Sequence, residues 1–221
     1  MLTVPPTATA PALLLRPWTE QDITAMVEAH RDPAMRQWLL HPVTNAAEAR
    51  RVIQARRADS EAGIGFSFAV LLAEPEGPDD LVGGVSVRGL DGAAVAGEVG
   101  YWVAAAARGR GIAPRAVDVV CDWAFSLPRD QPLERLELLH NVGNRASCRV
   151  AEKAGFRFSA VLPPLLPDFP DDGHLHVRLA GEPQGRLAKG PPASWGSGYG
   201  AAHVVRGWLG GFGRPQGKAG H

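Results

Sequence analysis

Glu98-Val99-Gly100-Tyr101-Trp102-Val103, leading into Arg108-Gly109-Arg110-Gly111-Ile112-Ala113, is the stretch on which the fold turns. Its first half reads as a strand, rich in β-formers. Ala104 to Arg110 then lacks any strand pattern, and Pro114 stands where a helix can begin, since a first-turn N–H has no intrahelical partner. Val117, Val120, Cys121, Ala124 and Leu127 follow at helical spacing, with Arg115, Asp118 and Asp122 facing away. The unit is strand, glycine loop, helix. Glycines let a backbone approach a ligand closely, and the free N–H groups of a helix start can hold phosphate oxygens. Arg108 and Arg110 add positive charge. A nucleoside-triphosphatase loop would need Gly-Lys-Ser/Thr where this chain has Ile112-Ala113-Pro114. A dinucleotide fingerprint would want Gly or Ala at Pro114, inside a parallel βαβ unit. Neither nucleotide motif fits.

Upstream, Phe66 to Leu72 and Leu81 to Arg88 read as strands, and Asp91-Gly92 marks the turn into Glu98 to Val103. Short polar connections make these neighbours antiparallel. Further upstream, Leu13 to Trp18 is a short strand, and Thr19 with Asp22 resembles a capping box. Asp32-Pro33 starts a second helix with Met35, Trp38 and Leu39 on its apolar side; Asn45 with Glu48 starts a third, with Ala49, Val52 and Ile53 inward. Downstream come a strand from Leu133 to His140, a helix capped by Asn144 and ended by Gly155, and strands over Phe156–Leu162 and His174–Leu179. The order β, helices, βββ, α, β, α, ββ predicts an α/β (α+β) fold built on about seven strands.

The chain has 221 residues, 45% of them hydrophobic, enough for a buried core. Its 23 basic and 23 acidic side chains cancel, but unevenly. Residues 1 to 182 carry 18 basic and 23 acidic groups, while residues 183–221 hold five basic groups, no acids and 11 of the 26 glycines. The expected organisation is a flexible N-terminus over 1–12, one domain over 13–182, and a disordered Gly-rich basic tail over 183–221. Two cysteines, Cys121 and Cys148, make no disulfide framework. The N-terminal stretch has no basic leader, and Ala12 to Leu15 is too short for a signal-peptide core. No apolar run approaches the roughly 20 residues that cross a bilayer. A cytoplasmic protein without membrane contact is expected.

Taken together, three segments resemble the GNAT superfamily of N-acetyltransferases, and within it the RimJ/RimL-type ribosomal-protein acetyltransferases. They are Leu14-Leu15-Arg16-Pro17 with the Thr19–Asp22 start; Glu98 to Val103 running into Arg108 to Ala113, which fits the family's Arg/Gln-x-x-Gly-x-Gly/Ala pattern; and Asn141 to Phe156 with its Asn144-Arg145-Ala146-Ser147 core. The similarity spans about residues 13 to 181. It implies a mixed, mostly antiparallel sheet, flanked by helices and splayed where acetyl-CoA binds. Arg108, Gly109, Arg110, Gly111, Ile112 and Ala113 would hold the pyrophosphate, the strand ending at Val103 the pantetheine arm, and Asn141 and Asn144 the cofactor's other side.

Acetyl transfer to an amine requires a deprotonated nucleophile, a polarised thioester carbonyl and a proton for the leaving thiolate. Glu98 is the expected base or water-orienting group, with Asp168, Asp171 and Asp172 as rivals on a loop able to close over substrate. Many family members use a Tyr after the Asn motif as acid, but the two tyrosines here are Tyr101, before the loop, and Tyr199, in the tail. The ribosomal-protein group's alternative carries the acid role to Ser147; otherwise that serine merely bonds the helix backbone. His174 and His176 share a strand face but find no third ligand at a suitable spacing, so no metal is expected. Cys148 is close in sequence to His140, yet direct transfer needs no acyl-cysteine. Trp38 and Trp102 read as core, Trp38 lying in the region that shapes the acceptor cleft in related proteins.

The expected activity is therefore transfer of an acetyl group from acetyl-CoA to a primary amine, on a protein N-terminus or a small molecule, by direct attack in a ternary complex. The competing reading is an inactive acyl-CoA-binding regulatory or interaction module, favoured by the missing Tyr. Nucleic acid is not an expected partner, because five spaced tail charges are few. Homodimerisation is admitted.

Overall fold

The computed structural model describes residues 1–73 and 80–181, so the tail expected over 183–221 falls outside the described residues. In chain order the elements are β1 (Leu2–Val4), β2 (Leu13–Pro17), α1 (Ile23–His30), α2 (Pro33–Trp38), α3 (Ala46–Glu61), β3 (Gly65–Leu72), β4 (Asp80–Arg88) and β5 (Ala96–Val103), followed by α4 (Ile112–Phe125), β6 (Arg135–Asn141), α5 (Arg145–Lys153), β7 (Arg157–Leu162) and β8 (Gly173–Leu179). Local signals set many of these boundaries. Asp32 accepts from the Ala34 N–H at 3.3 Å with Pro33 in the first turn of α2. Asn45 accepts from Glu48 N–H at 3.0 Å to start α3, and Asn144 from Ser147 N–H at 3.2 Å to start α5. The Thr19–Asp22 capping box forms on a short 3-10 turn ahead of α1.

One eight-stranded sheet runs β1-β2-β3-β4-β5-β6-β8-β7. Every neighbouring pair is antiparallel except β5–β6, which the α4 crossover makes parallel. The mixed, mostly antiparallel expectation holds, with one strand more than about seven. The addition corrects the boundary drawn at residue 13: Leu2, Thr3 and Val4 pair with Leu15, Leu14 and Leu13, so residues 1–12 include an ordered edge strand.

Alternation along the strands feeds two cores. Val85, Val87, Leu136 and Leu138 meet Val117 and Val120 of α4 on one face. Ala69, Leu71 and Trp102 meet Met26 of α1 and Ile53 of α3 on the other. Fully burying side chains of this size contributes about 1.5–3 kcal/mol each. Arg178 of β8 is itself buried and ties the first face together, donating to Asp118 at 2.8 Å, to the Ala154 carbonyl at 3.2 Å and to Asp122. No helix among the described residues is long and apolar enough to cross a membrane.

Candidate active site

The parallel pair β5–β6 is in register only from Ala96–Glu98 against Arg135–Glu137. Beyond Glu98 the strands part, although β6 stays paired with β8 from Arg135 to Asn141. The result is a cleft of about 870 Å³ whose lining includes Val99 to Val103 on one side and Leu138 to Asn141 on the other. At one end lies the glycine loop. Gly109 and Gly111 take φ of +79° and +71°, a left-handed conformation that other residues adopt at a cost. Gly111 is the residue from which α4 starts, so the first N–H groups of α4 have no intrahelical acceptors and the positive end of its dipole lies at the cleft.

The pleat of β5 sends its side chains to two faces. Glu98, Gly100 and Trp102 lie on the α1–α3 face, where Trp102 packs over Trp18 at 6.0 Å between ring centroids. Val99, Tyr101 and Val103 lie on the α4–α5 face. Glu98 lines the cleft, accepts from Arg88 at 2.6 Å through Oε1, and leaves Oε2 buried without a partner. Burial pushes its carboxyl above the ordinary value, against the opposing pull of the Arg88 guanidinium. On the opposite face the Tyr101 hydroxyl and Ser147 Oγ are 2.9 Å apart, so Ser147 does more than bond its own backbone. Burial raises the Tyr101 pKa, and at neutral pH the phenol keeps its proton.

The other expected residues divide by what their side chains do. Val103, Arg108, Gly109, Gly111, Ile112, Ala113, Asn141 and Asn144 all line the cleft, and Arg110 stands exposed beside it. Arg108 turns its guanidinium to the protein: Nε donates to the Val103 carbonyl at 3.2 Å and Nη2 pairs with Asp32, so its loop contributes backbone rather than that charge. Asn141 closes the end of β6, accepting from Gly143 N–H at 2.7 Å and donating to Asp171 at 2.9 Å. Asp168 and Asp171 line the cleft, whereas Asp172 lines an adjoining hollow. Trp102 is buried as expected for core, while Trp38 is partly exposed at the cleft wall. His174 and His176, for which the sequence offered no third ligand, are joined in space by His140 and Cys148.

A family described as the acetyltransferase (GNAT) domain matches residues 12–157 of the sequence. The chain belongs to the GNAT acetyltransferase family. No curated protein matches it in sequence. Among solved structures, Mycobacterium smegmatis RimJ in complex with CoA-disulfide has a TM-score of 0.67 at 24% identity, covering 80% of this chain and 87% of that one. A RimL ribosomal L7/L12 alpha-N-protein acetyltransferase in complex with coenzyme A has 0.67 at 20%, covering 80% and 98%. The microcin C7 self-immunity acetyltransferase MccE, in complex with acetyl-CoA and AMP, has 0.65 at 17%, covering 78% and 97%. At these identities the likeness is one of fold.

Several groups in this GNAT cleft were not singled out from the sequence. Tyr101 was set aside because it precedes the glycine loop, but 46 residues of chain return to bring Ser147 against it. Odd spacing from Glu98 was the available clue, since it puts Tyr101 on the opposite face. Arg149 and Lys153 line the cleft one turn apart on α5. Arg56 of α3 also reaches it, half-buried, with Nη1 buried and unpartnered and its guanidinium 5.1 Å from the Trp18 ring. Burial, and then the nearby Arg88 charge, lower its pKa to about 10, which still leaves it cationic at neutral pH.

Proposed function

We propose that this GNAT domain transfers an acetyl group from acetyl-CoA to a primary amine by direct attack in a ternary complex. The observation that carries the reading is the opening between β5 and β6, with a carboxylate on one face of β5 and a paired hydroxyl on the other. The residues fit the cosubstrate. Backbone N–H groups of Gly109 to Ala113 would hold the pyrophosphate at the α4 dipole, with Arg149 and Lys153 supplying charge. Unpaired main-chain groups of Val99 to Val103 would take the pantetheine amides and polarise the thioester carbonyl, and Asn141 and Asn144 would border the opposite side.

The amine then approaches from the α1–α3 face. Its nitrogen attacks the thioester carbon, and its surplus proton passes to Glu98 Oε2, directly or through a water. The C–S bond breaks on the other face, where Ser147, hydrogen-bonded to Tyr101, protonates the thiolate. The Tyr101–Ser147 pair supplies the acid whose absence favoured an inactive module.

The acceptor is a protein N-terminal amine or a small-molecule amine with an anionic group nearby. The net negative charge of the body does not describe this wall, where the cations Arg56 and Arg88 line the cleft beside Glu98. An unpartnered buried Arg56 nitrogen favours an acidic neighbour on the substrate and disfavours polyamines. The test is thiol release from acetyl-CoA with peptides and small amines, followed by intact mass of product and enzyme. Turnover is expected with at least one primary amine, with acid-bearing acceptors ahead of polycations. Tight acetyl-CoA binding with no turnover on any amine would overturn the enzyme reading.

A further inference from the structure

Four side chains from three elements converge at the far end of β6: His140 of β6, Cys148 of α5, and His174 and His176 of β8. One ligand atom from each lies within 4.8 Å of all the others. His140 Nε2 is 3.2 Å from His176 Nε2, and Cys148 Sγ is 3.4 Å from His140 Nε2 and 3.3 Å from His174 Nδ1. Tetrahedral zinc, with bonds of about 2.0–2.1 Å to nitrogen and 2.3 Å to sulfur, sets nitrogens about 3.3 Å apart and sulfur about 3.6 Å from nitrogen. These three spacings are close to those of a ligand set, and the remaining pairs lie within 4.8 Å.

Hydrogen bonding alone accounts for them poorly. His140 Nδ1 lies 2.8 Å from the Asn141 carbonyl oxygen, an acceptor only, so Nδ1 carries the proton and Nε2 presents a lone pair to the cluster. That one lone pair faces both His176 Nε2 and Cys148 Sγ. It can accept fully from one of them; a single cation serves all four atoms at once. The backbone carbonyl behind His140 is the kind of outer partner that fixes a ligating imidazole. His176 is 1% exposed and His140 9%, while Cys148 and His174 are half-buried, which leaves a way in for an ion. The Phe158 ring stands edge-on to His174 and His176 as an apolar cover.

We infer that His140, Cys148, His174 and His176 form a structural zinc site pinning α5 to β6 and β8. Three imidazoles and one thiolate are donors for zinc rather than for magnesium or calcium, which take oxygen ligands. The metal would displace the Cys148 thiol proton to solvent on binding. Its four protein ligands close the coordination sphere, so the site is structural and holds Ser147, the neighbour of Cys148, in place.

The experiment uses full-length, tag-free protein and zinc chloride. Elemental analysis after dialysis should find roughly one zinc per chain, and zinc at 100 times its Kd should raise the melting temperature by roughly 5–10 °C. Cobalt in place of zinc should give visible ligand-field bands and a thiolate charge-transfer band, the latter lost in Cys148→Ser. His176→Gln should weaken binding by at least tenfold. Absence of bound zinc and of any cobalt spectrum in the wild-type protein overturns the site, whether or not the variants fold. Zinc that stays bound to a folded Cys148→Ser, His176→Gln double variant overturns it equally.

Discussion

Tyr101→Phe and Ser147→Ala, made singly and together, probe the acid of the proposed reaction. The two hydroxyls are 2.9 Å apart on the α4–α5 face of β5, and the Tyr101 ring packs against the core there. Phenylalanine keeps that packing and removes only the bond. A neutral hydrogen bond of this kind is worth about 0.5–1.5 kcal/mol, so if Tyr101 only orients Ser147, kcat should fall roughly 2- to 13-fold. Ser147→Ala removes the proton donor itself, and general acid catalysis is typically worth about 10²–10⁴-fold. Because the Tyr101 hydroxyl acts through Ser147, the double variant should be no slower than Ser147→Ala alone. Initial rates of coenzyme A release with a saturating alkyl amine measure kcat, and acetyl-CoA affinity, read separately by calorimetry, should change little. Independent, multiplying losses would refute the shared-proton arrangement. An unchanged kcat in Ser147→Ala would refute the acid assignment altogether.

Gly111→Val should abolish measurable acetyl-CoA binding while the protein stays folded, because φ of +71° costs an ordinary residue about 1–2 kcal/mol and relieving it would turn the N–H groups at the start of α4 away from the cleft. Unchanged affinity by calorimetry would move the pyrophosphate elsewhere. Glu98→Gln should lower kcat at pH 7 by roughly 10²-fold, with the deficit shrinking as pH approaches the amine's own pKa near 10, where free amine no longer needs a base. A deficit that does not vary with pH would remove Glu98 as base. His30 accepts from the Val43 N–H at 2.9 Å and is held neutral, burial and then the Arg56 charge lowering its pKa to about 4. The unfolded chain therefore binds a proton that the folded one refuses between about pH 6.5 and 4. Its contribution to stability is complete above that window and is lost as pH falls through it. Urea titrations of wild type and His30→Gln at pH 7 and pH 5 should show the smaller pH dependence in the variant; equal slopes would contradict the assignment.

Much of this fold was legible because its signals are local. Asp32-Pro33, Asn45 with Glu48, and Asn144 each cap the helix that the residue pattern announces, through bonds spanning two or three residues. The glycine loop was legible for the same reason, since the positive φ of Gly109 and of Gly111 is a local property that each glycine can adopt by itself. What the sequence hid depends on pairing at a distance. β1 is three residues long and gains its strand geometry from the free edge of β2. Tyr101 meets Ser147 only once the α4 crossover has brought α5 back over the sheet. Spacing along the chain could not join His140 and Cys148 to His174 and His176, because the antiparallel pairing of β6 with β8 sets Leu138 opposite His176 and His140 opposite His174. The charge total is uninformative in a related way: the net charge of the body says nothing of which residues a cleft gathers, and here the wall beside Glu98 includes Arg56 and Arg88.

The odd interval between Glu98 and Tyr101 links fold and chemistry most directly. Three residues along a strand advance about 10 Å and reverse the face, so a carboxylate and a hydroxyl on one strand point to opposite sides of the sheet. In the proposed transfer that separation keeps two proton movements apart: the carboxylate would take the proton of the attacking amine on one face, and the hydroxyl pair would return one to the departing thiolate on the other. A closed sheet would keep the two faces apart. The parting of β5 from β6 after Glu98 opens a passage between them, and β6 can part from β5 without fraying because β8 holds its other edge along its full length. The single parallel pair in an otherwise antiparallel sheet is thus where the fold can open, and the glycine loop and α4 follow from the crossover that makes the pair parallel.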